Sequence, residues 1–500
     1  MAKGLNILFV SSELYPFAKE SGIGDVAFSL PLALKELGHD VRVIFPKYGV
    51  VSEKKFKIHY VNRLRDIPIK ILDKYESAAI KSSIITNQKA KVQTYVVSND
   101  YYFDKRKGIY HDPVTWEEYP DNAERFIFFN KAVAETCSML GWVPNIIHCN
   151  DWQSALLPAM LKELYPHQFK KTKTIFTIHN FYKQGVYDLK EFDKTGLSSI
   201  FLNDFKFKNK FNFLKGAIKH SNFITTVSKA YAKELMNDKS YSNGLNQVLK
   251  ERSSIFKGIN NGVETSTWNP YRDEYLKYKL KGDMEEFKAN NKELLQKEFQ
   301  LDDDPDIPIF GMVPRIGYQK GTQLLIDAAD KIFKNNVRIV LLGEGDNDLK
   351  NDLRVVADKY PNQLKLRYEF NEPLSHIIEA GSDFFMMPSQ YEPFGLNFLY
   401  SMIYGTIPLV RYTGGFVDLS VNIEKNNKKG NAIVFEKYEV DDFVNAIERA
   451  VDLYNNKEYY KEIVERNRQH DFSWKKSAKE YVSIYKQILK ESVKENEENI

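Results

Sequence analysis

The chain has 500 residues, too many for one ordinary hydrophobic core, so two large domains or three smaller ones are expected. Its 43% hydrophobic and 28% charged residues exclude a disordered chain, and a net charge of +4 gives too weak a field to argue for a nucleic acid or an anionic membrane as partner. Two cysteines, Cys137 and Cys149, exclude a disulfide framework, and no apolar run approaches the roughly 18 residues of a membrane span, so a cytoplasmic address is expected.

Residues 5–11 read as a buried strand, 21–25 as a loop with two glycines, 26–37 as a helix and 41–45 as a second buried strand, which together make a βαβ unit. Short apolar runs at 92–97, 145–148, 174–177 and 223–227 alternate with helical patterns and predict a parallel sheet covered on both faces. The pattern loosens over 237–306, read as a linker region, and a second alternating series starts at 307–313. It continues through 337–342, Phe384–Met387, Ile407–Arg411 and 432–435. The fold class expected is therefore α/β, with two Rossmann-like, doubly wound domains over 1–252 and 253–473. Two such domains facing each other would form a cleft at the carboxyl ends of their strands, where ligands of open α/β sheets bind. The charged tail from Lys490 is expected to fray.

The segment Lys19-Glu20-Ser21-Gly22-Ile23-Gly24-Asp25 joins the first strand to the first helix, which sets backbone N–H groups and a lysine at a helix N-terminus, as an anion site requires. A plain tight turn remains open. Gly22-x-Gly24 is only part of a dinucleotide fingerprint, and Phe45-Pro46-Lys47 ends the second strand without the acid a ribose needs, so a nicotinamide dehydrogenase is disfavoured. In the second domain Arg315 and Lys320 flank a strand-to-helix turn and could clamp a diphosphate; two cations at a positive helix end are better tolerated when an anion lies between them. Glu392, in the run from Pro388 to Leu396, follows a buried strand, and Thr413-Gly414-Gly415 follows another, as either a phosphate cradle or a turn. In the first domain Asp151 and His179 each end a predicted strand, and Trp152, Phe181, Tyr182 and Tyr187 suit either sugar stacking or ordinary packing. No HExxH, CxxC, GxSxG or Walker loop is present, which removes the main support for metalloprotease, hydrolase-elbow and P-loop readings.

In order along nearly the whole chain, these segments resemble the family of bacterial glycogen synthases and plant starch synthases. The likeness runs from Ser11-Ser12-Glu13 and the lysine loop through Tyr110-His111-Asp112, Asp121-Asn122, the run His148 to Gln153, Thr177 to Asn180 and Asn261-Gly262-Val263. It continues with Arg315, Gln319-Lys320-Gly321, the run Pro388 to Leu396, Arg411 with Thr413-Gly414-Gly415, and Phe472-Ser473-Trp474. The resemblance implies a GT-B architecture, two Rossmann-like domains across a deep cleft, with a C-terminal helix over 474–492 crossing back to the first domain and a charged tail at 493–500. It also implies retaining transfer of glucose from ADP-glucose to glycogen or a maltooligosaccharide, with no metal or other cofactor and with no nucleic-acid or membrane partner.

By the same resemblance Lys19, Arg315 and Lys320 hold the diphosphate, with Gly22 and Thr413-Gly414-Gly415 offering N–H groups. Asp151, His179 and Asn261 line the glucose and acceptor side, Glu392 orients the donor sugar, and Tyr110 and Trp152 face the incoming glucan. His179, Arg315, Lys320, Glu392 and Asp151 form the implied catalytic set. A UDP-glucose-using enzyme of the same fold and a catalytically impaired glucan-binding protein are the alternatives. The chain departs from the family at Glu20-Ser21, where Thr-Gly is usual, and at Phe394 and Phe398, where Cys and Gln are common.

Overall fold

The computed structural model describes residues 4–424 and 427–497, which fall into two compact units. The first takes in the chain up to Asn261 together with the part from Trp474 onward; the second is Gly262–Ser473.

In the first unit β1 (Asn6–Val10) leads into α1 (Gly22–Glu36), and the chain returns as β2 (Asp40–Pro46). An antiparallel extension follows, made of β3 (His59–Tyr60), β4 (Ile67–Ile71) and β5 (Lys74–Thr86). Then come β6 (Lys91–Ser98), β7 (Ile146–Asn150) and β8 (Lys173–Ile178). A small separate sheet holds β9 (Val186–Tyr187), β10 (Lys206–Phe207) and β11 (Lys210–Asn212), before β12 (Phe223–Thr226) and β13 (Phe256–Gly258) complete the main sheet. Its order is β13-β12-β8-β7-β1-β2-β6-β5-β3, with β4 paired to β5. Strands from β13 to β6 are parallel, while β5 runs antiparallel to its neighbours. All five residues of β7 are buried, as a parallel strand covered on both faces requires.

The helix Lys475–Glu497 belongs to this unit. Ala478, Tyr481, Ile484, Tyr485 and Ile488 recur at helical spacing and join Trp474 in the core beneath the sheet. Tyr485 Oη lies 2.7 Å from His148 Nδ1 on β7, and Ser477 donates to the carbonyl of Asn260 at 2.5 Å.

In the second unit β14 (Ile309–Met312), β15 (Arg338–Leu342), β16 (Leu364–Arg367), β17 (Phe384–Met387), β18 (Ile407–Arg411) and β19 (Ile433–Phe435) form an all-parallel sheet in the order β16-β15-β14-β17-β18-β19. Both units thus carry the expected doubly wound α/β topology. Among the described residues no helix is long and apolar enough to cross a membrane.

The stretch 237–306, expected to be loose, instead holds the helices Asn246–Glu251 and Met284–Glu298 and the strand β13. Met284–Glu298 hides its inner face in the sequence because Lys288 and Lys292 point inward. Lys288 donates to the carbonyls of Ala380 and Ser382 and to Thr406, and Lys292 pairs with Asp383 at 2.8 Å. The tail from Lys490 also differs from expectation, continuing the helix to Glu497; residues 498–500 lie outside the described ones.

Candidate active site

In the first unit β1 lies between β2 and β7, so the direction of winding reverses between β1 and β7, where doubly wound sheets open a crevice for ligands. The loops after β1, β7 and β8 carry Lys19, Asp151 and His179. Lys19 pairs with Asp25 at 2.9 Å, and Gly22 is exposed at the first position of α1. Asp151 adopts φ 53°, ψ 179°, a conformation that costs an L-residue about 1–3 kcal/mol and is tolerated where the surroundings enforce it. The enforcing contacts are its N–H to Thr177 and its carboxylate Oδ1, which accepts the His179 N–H at 2.6 Å.

Burial pushes the Asp151 carboxyl up to about 7, against the opposing pull of the His179 and Asn180 N–H groups. Burial also drives His179 down to about 3, so its ring is neutral. Its Nε2 lies 2.9 Å from Asn150 Oδ1, while the Asn150 amide nitrogen donates to the Val10 carbonyl at 3.0 Å. An amide oxygen can only accept, so the imidazole proton sits on Nε2 and Nδ1 keeps its lone pair.

Tyr110 and Trp152 are both buried. The Tyr110 hydroxyl donates to Glu13 at 2.8 Å and lies 2.7 Å from Ser12 Oγ. The Trp152 ring packs against Phe126, Tyr187 and Phe213, and against Gly185, where a Cβ would fall 2.7 Å from the indole. Asn261 holds its side-chain oxygen buried with no protein hydrogen-bond partner, a group that a ligand hydroxyl could satisfy.

In the second unit the reversal falls between β14 and β17. The loop after β14 carries Arg315, which is exposed, and Lys320; the loop after β17 carries Glu392; the loop after β18 carries Thr413 to Gly415. These last three loops close on one another. Lys320 Nζ lies 2.5 Å from Glu392 Oε2, and Ser389 donates to the same oxygen at 3.1 Å. The Gln390 N–H bonds the Gln319 carbonyl at 2.9 Å, joining the backbones of the first two loops. Arg411 caps the carbonyls of Ser389 at 3.0 Å, Gln390 at 2.5 Å and Glu436 at 3.1 Å, which braces the segment leading to Glu392. Gly414 has φ 51°, and a Cβ there would meet the Glu392 carbonyl oxygen at 1.8 Å, so only glycine allows this approach.

The Thr413 and Gly415 N–H groups are spent on the carbonyls of Arg411 and Glu392, both at 2.9 Å. Both bonds fit the turn reading of this segment: the first closes locally on Arg411 and the second ties the turn to the Glu392 loop. Glu13, Ser389 and Arg411 lie in segments that carry the family resemblance but have no role assigned there; the bonds of Glu13 to Ser21 and Tyr110, of Ser389 to Glu392 and of Arg411 to the carbonyls of Ser389, Gln390 and Glu436 carry no signal in sequence spacing.

Two family patterns match the sequence: Starch synthase catalytic domain over residues 6–251 and Glycosyl transferases group 1 over residues 293–470. The glycogen synthase of Koribacter versatilis is 38% identical over 485 residues, 96% of this chain and 98% of that one. The glycogen synthase of Thermosipho africanus is 37% identical over 494 residues, 97% and 99% of the two chains. The catalytic domain of starch synthase IV from Arabidopsis thaliana, solved bound to ADP and acarbose, matches with a TM-score of 0.89 at 30% identity, covering 97% of this chain and all of that one. The chain belongs to the glycogen synthase and starch synthase family.

As a member it is a glycosyltransferase, working with a nucleotide-sugar donor and a glucan acceptor. Its fold is also that of sucrose-phosphate synthase from Thermosynechococcus elongatus, with a TM-score of 0.58 at 15% identity. Two departures from the usual glycogen synthase pattern, Phe394 and Phe398, are buried, and Phe398 packs near Phe416 at a ring separation of 6.0 Å. Their place is in the packing behind the Glu392 loop, where two large apolar side chains are compatible with the fold.

Proposed function

We propose that the chain transfers glucose from ADP-glucose to the non-reducing end of an α-1,4-glucan, with retention of configuration and in the cytoplasm. The observation that carries this reading is the full-length likeness, at a TM-score of 0.89, to a starch synthase catalytic domain bound to ADP. Both cysteines are buried free thiols, in keeping with a reducing compartment.

In this reading Lys19, Arg315 and Lys320 take the diphosphate, helped by Gly22, while the Thr413-Gly414-Gly415 turn, whose Thr413 and Gly415 amides are already bonded, seats the Glu392 loop. Departure of ADP builds negative charge on phosphate oxygens, and preorganised cations lower the barrier most when that charge is developing. Lys320, which pairs with Glu392, would turn toward the phosphate, leaving the carboxylate held by Ser389 to orient the donor sugar. Asp151, His179 and Asn261 line the glucose, with the His179 Nδ1 lone pair free in chemistry to accept a sugar hydroxyl. Tyr110 and Trp152 shape the acceptor side. No second carboxylate is assigned for a double displacement: Tyr400 stands eight residues after Glu392, where many related retaining transferases carry a glutamate. The acceptor hydroxyl therefore attacks from the face the leaving group vacates, and the departing phosphate takes its proton.

The test is glucose incorporation into glycogen or maltooligosaccharide from ADP-glucose and UDP-glucose in parallel, following nucleoside diphosphate release and chain length. Growth mainly from ADP-glucose is expected. Growth chiefly from UDP-glucose would change the donor, and glucan binding without growth from either would make the chain a binding protein.

A further inference from the structure

The loop that carries Lys19 differs from its family at two neighbouring positions, and both side chains have partners. The Glu13 carboxylate, fully buried, gathers the loop: Oε2 accepts the N–H groups of Glu20 at 2.8 Å and Ser21 at 2.7 Å, and Oε1 accepts the hydroxyls of Ser21 at 2.9 Å and Tyr110 at 2.8 Å. Four donors on one buried carboxylate supply the hydrogen bonds that its removal from water demands. The Ser21 oxygen also accepts the Ile23 N–H at 3.3 Å and so caps α1. Glu20, the other departure, sets its carboxylate 3.4 Å from His111 Nδ1.

Glycine, the residue usual at this place, would keep the backbone bond to Glu13 and lose the hydroxyl bond. It would also widen the set of conformations open to the unliganded loop. Ser21 sits in extended backbone, φ −145° and ψ 178°, which any residue adopts without strain, so its side chain restricts the loop at no conformational cost. We infer that Ser21 is a positioning residue for the donor: through its hydroxyl bond to Glu13 it holds the 19–22 backbone in the conformation that receives the diphosphate. The inference rests on the reading of this loop as part of the donor site. Restriction present before binding strengthens ground state and transition state alike, so its loss raises donor KM and leaves kcat nearly unchanged.

The experiment is steady-state kinetics on the full chain with ADP-glucose varied at saturating glycogen, for wild type, Ser21→Ala, Ser21→Thr and Lys19→Ala, each with a thermal melt. Ser21→Ala is expected to raise donor KM about tenfold with kcat within about twofold, and Ser21→Thr, which keeps the hydroxyl, to restore KM. Ser21→Gly gives the same comparison if the alanine variant folds poorly. An unchanged donor KM in the hydroxyl-free variants, even with a lowered melting temperature, would reduce Ser21 to a helix cap and overturn the inference. If Lys19→Ala also leaves KM and kcat unchanged, the donor-site reading of the loop falls with it; if Lys19→Ala impairs turnover while Ser21→Ala does not, the inference alone falls.

Discussion

Lys320 sets its charge 2.5 Å from the carboxylate of Glu392, which is almost wholly buried, and the two groups pair. If Lys320 is the leaving-group cation proposed above, Lys320→Ala is expected to lower kcat by about 10²–10³-fold, the loss typical of one preorganised electrostatic contact. Circular dichroism should show the fold intact, and wild-type turnover in such a variant would take Lys320 out of the clamp. Asp151 and His179 titrate in opposite senses. His179, pushed down to about 3, contributes stability that is present above its unfolded value of about 6.5 and lost as pH falls toward 3. Asp151, pushed up to about 7, works the other way: its contribution is present below about 4 and lost as pH rises through 7. Between about pH 4 and 6.5 the two partly cancel in the native chain. Asp151→Asn removes the opposing slope, so urea unfolding of this variant should show a steeper loss of stability on acidification than wild type. The sequence shows such residues as strand-end polar groups, and it shows nothing of the left-handed backbone at Asp151, which tertiary contacts impose.

At the scale of elements, the strands that are plain in the sequence are those buried on both faces, such as β1, β7 and β17, because a continuous apolar run of that length between turn residues fits the interior of a parallel sheet and little else. The ones that escape carry their polar residues inward or along an edge. β16 reads Leu-Lys-Leu-Arg at the margin of its sheet, and β5 buries Lys81, whose ammonium meets Glu53 at 2.6 Å. Loop contacts are the least legible of all, since the approach of Gly414 to Glu392 depends on two loops separated by a strand and a helix. Gly414→Ala would force those loops apart, and if Glu392 has the role proposed above, a loss of about 10–100-fold in kcat is expected from its displacement, with packing elsewhere in the unit unaffected. The C-terminal helix makes an equally specific bond. Tyr485→Phe leaves His148 Nδ1 buried without its partner and should cost about 1–3 kcal/mol in urea unfolding, the usual penalty for an orphaned buried group. An unchanged midpoint would mean that the ring packing of Tyr485 against His148, not its hydroxyl, is what the helix supplies.

At the scale of the whole molecule, the two units differ in how the chain builds them. The second is one continuous segment, Gly262–Ser473, whereas the first needs its early residues and the helix Lys475–Glu497 together. That helix and the residue before it bury Trp474, Tyr481, Ile484, Tyr485 and Ile488, each worth about 1.5–3 kcal/mol of apolar burial, against a net stability of only about 5–15 kcal/mol for an ordinary domain. A chain ending at Ser473 should therefore leave the first unit unfolded or proteolytically labile, while a fragment of Gly262–Ser473 keeps its secondary structure by circular dichroism. A protease-resistant first unit in the truncated chain would show that the helix is an accessory.

The same interleaving sets an order of birth. On the ribosome the strands of the first unit emerge early, yet the helix that completes their core is made only after the whole second unit, an interval of roughly ten seconds or more at usual rates of synthesis. During that interval the apolar residues of β8 and α1 that pack on the helix have nothing to cover them. The part translated second is then the part that folds first, and the early half waits in a state that chaperones would recognise.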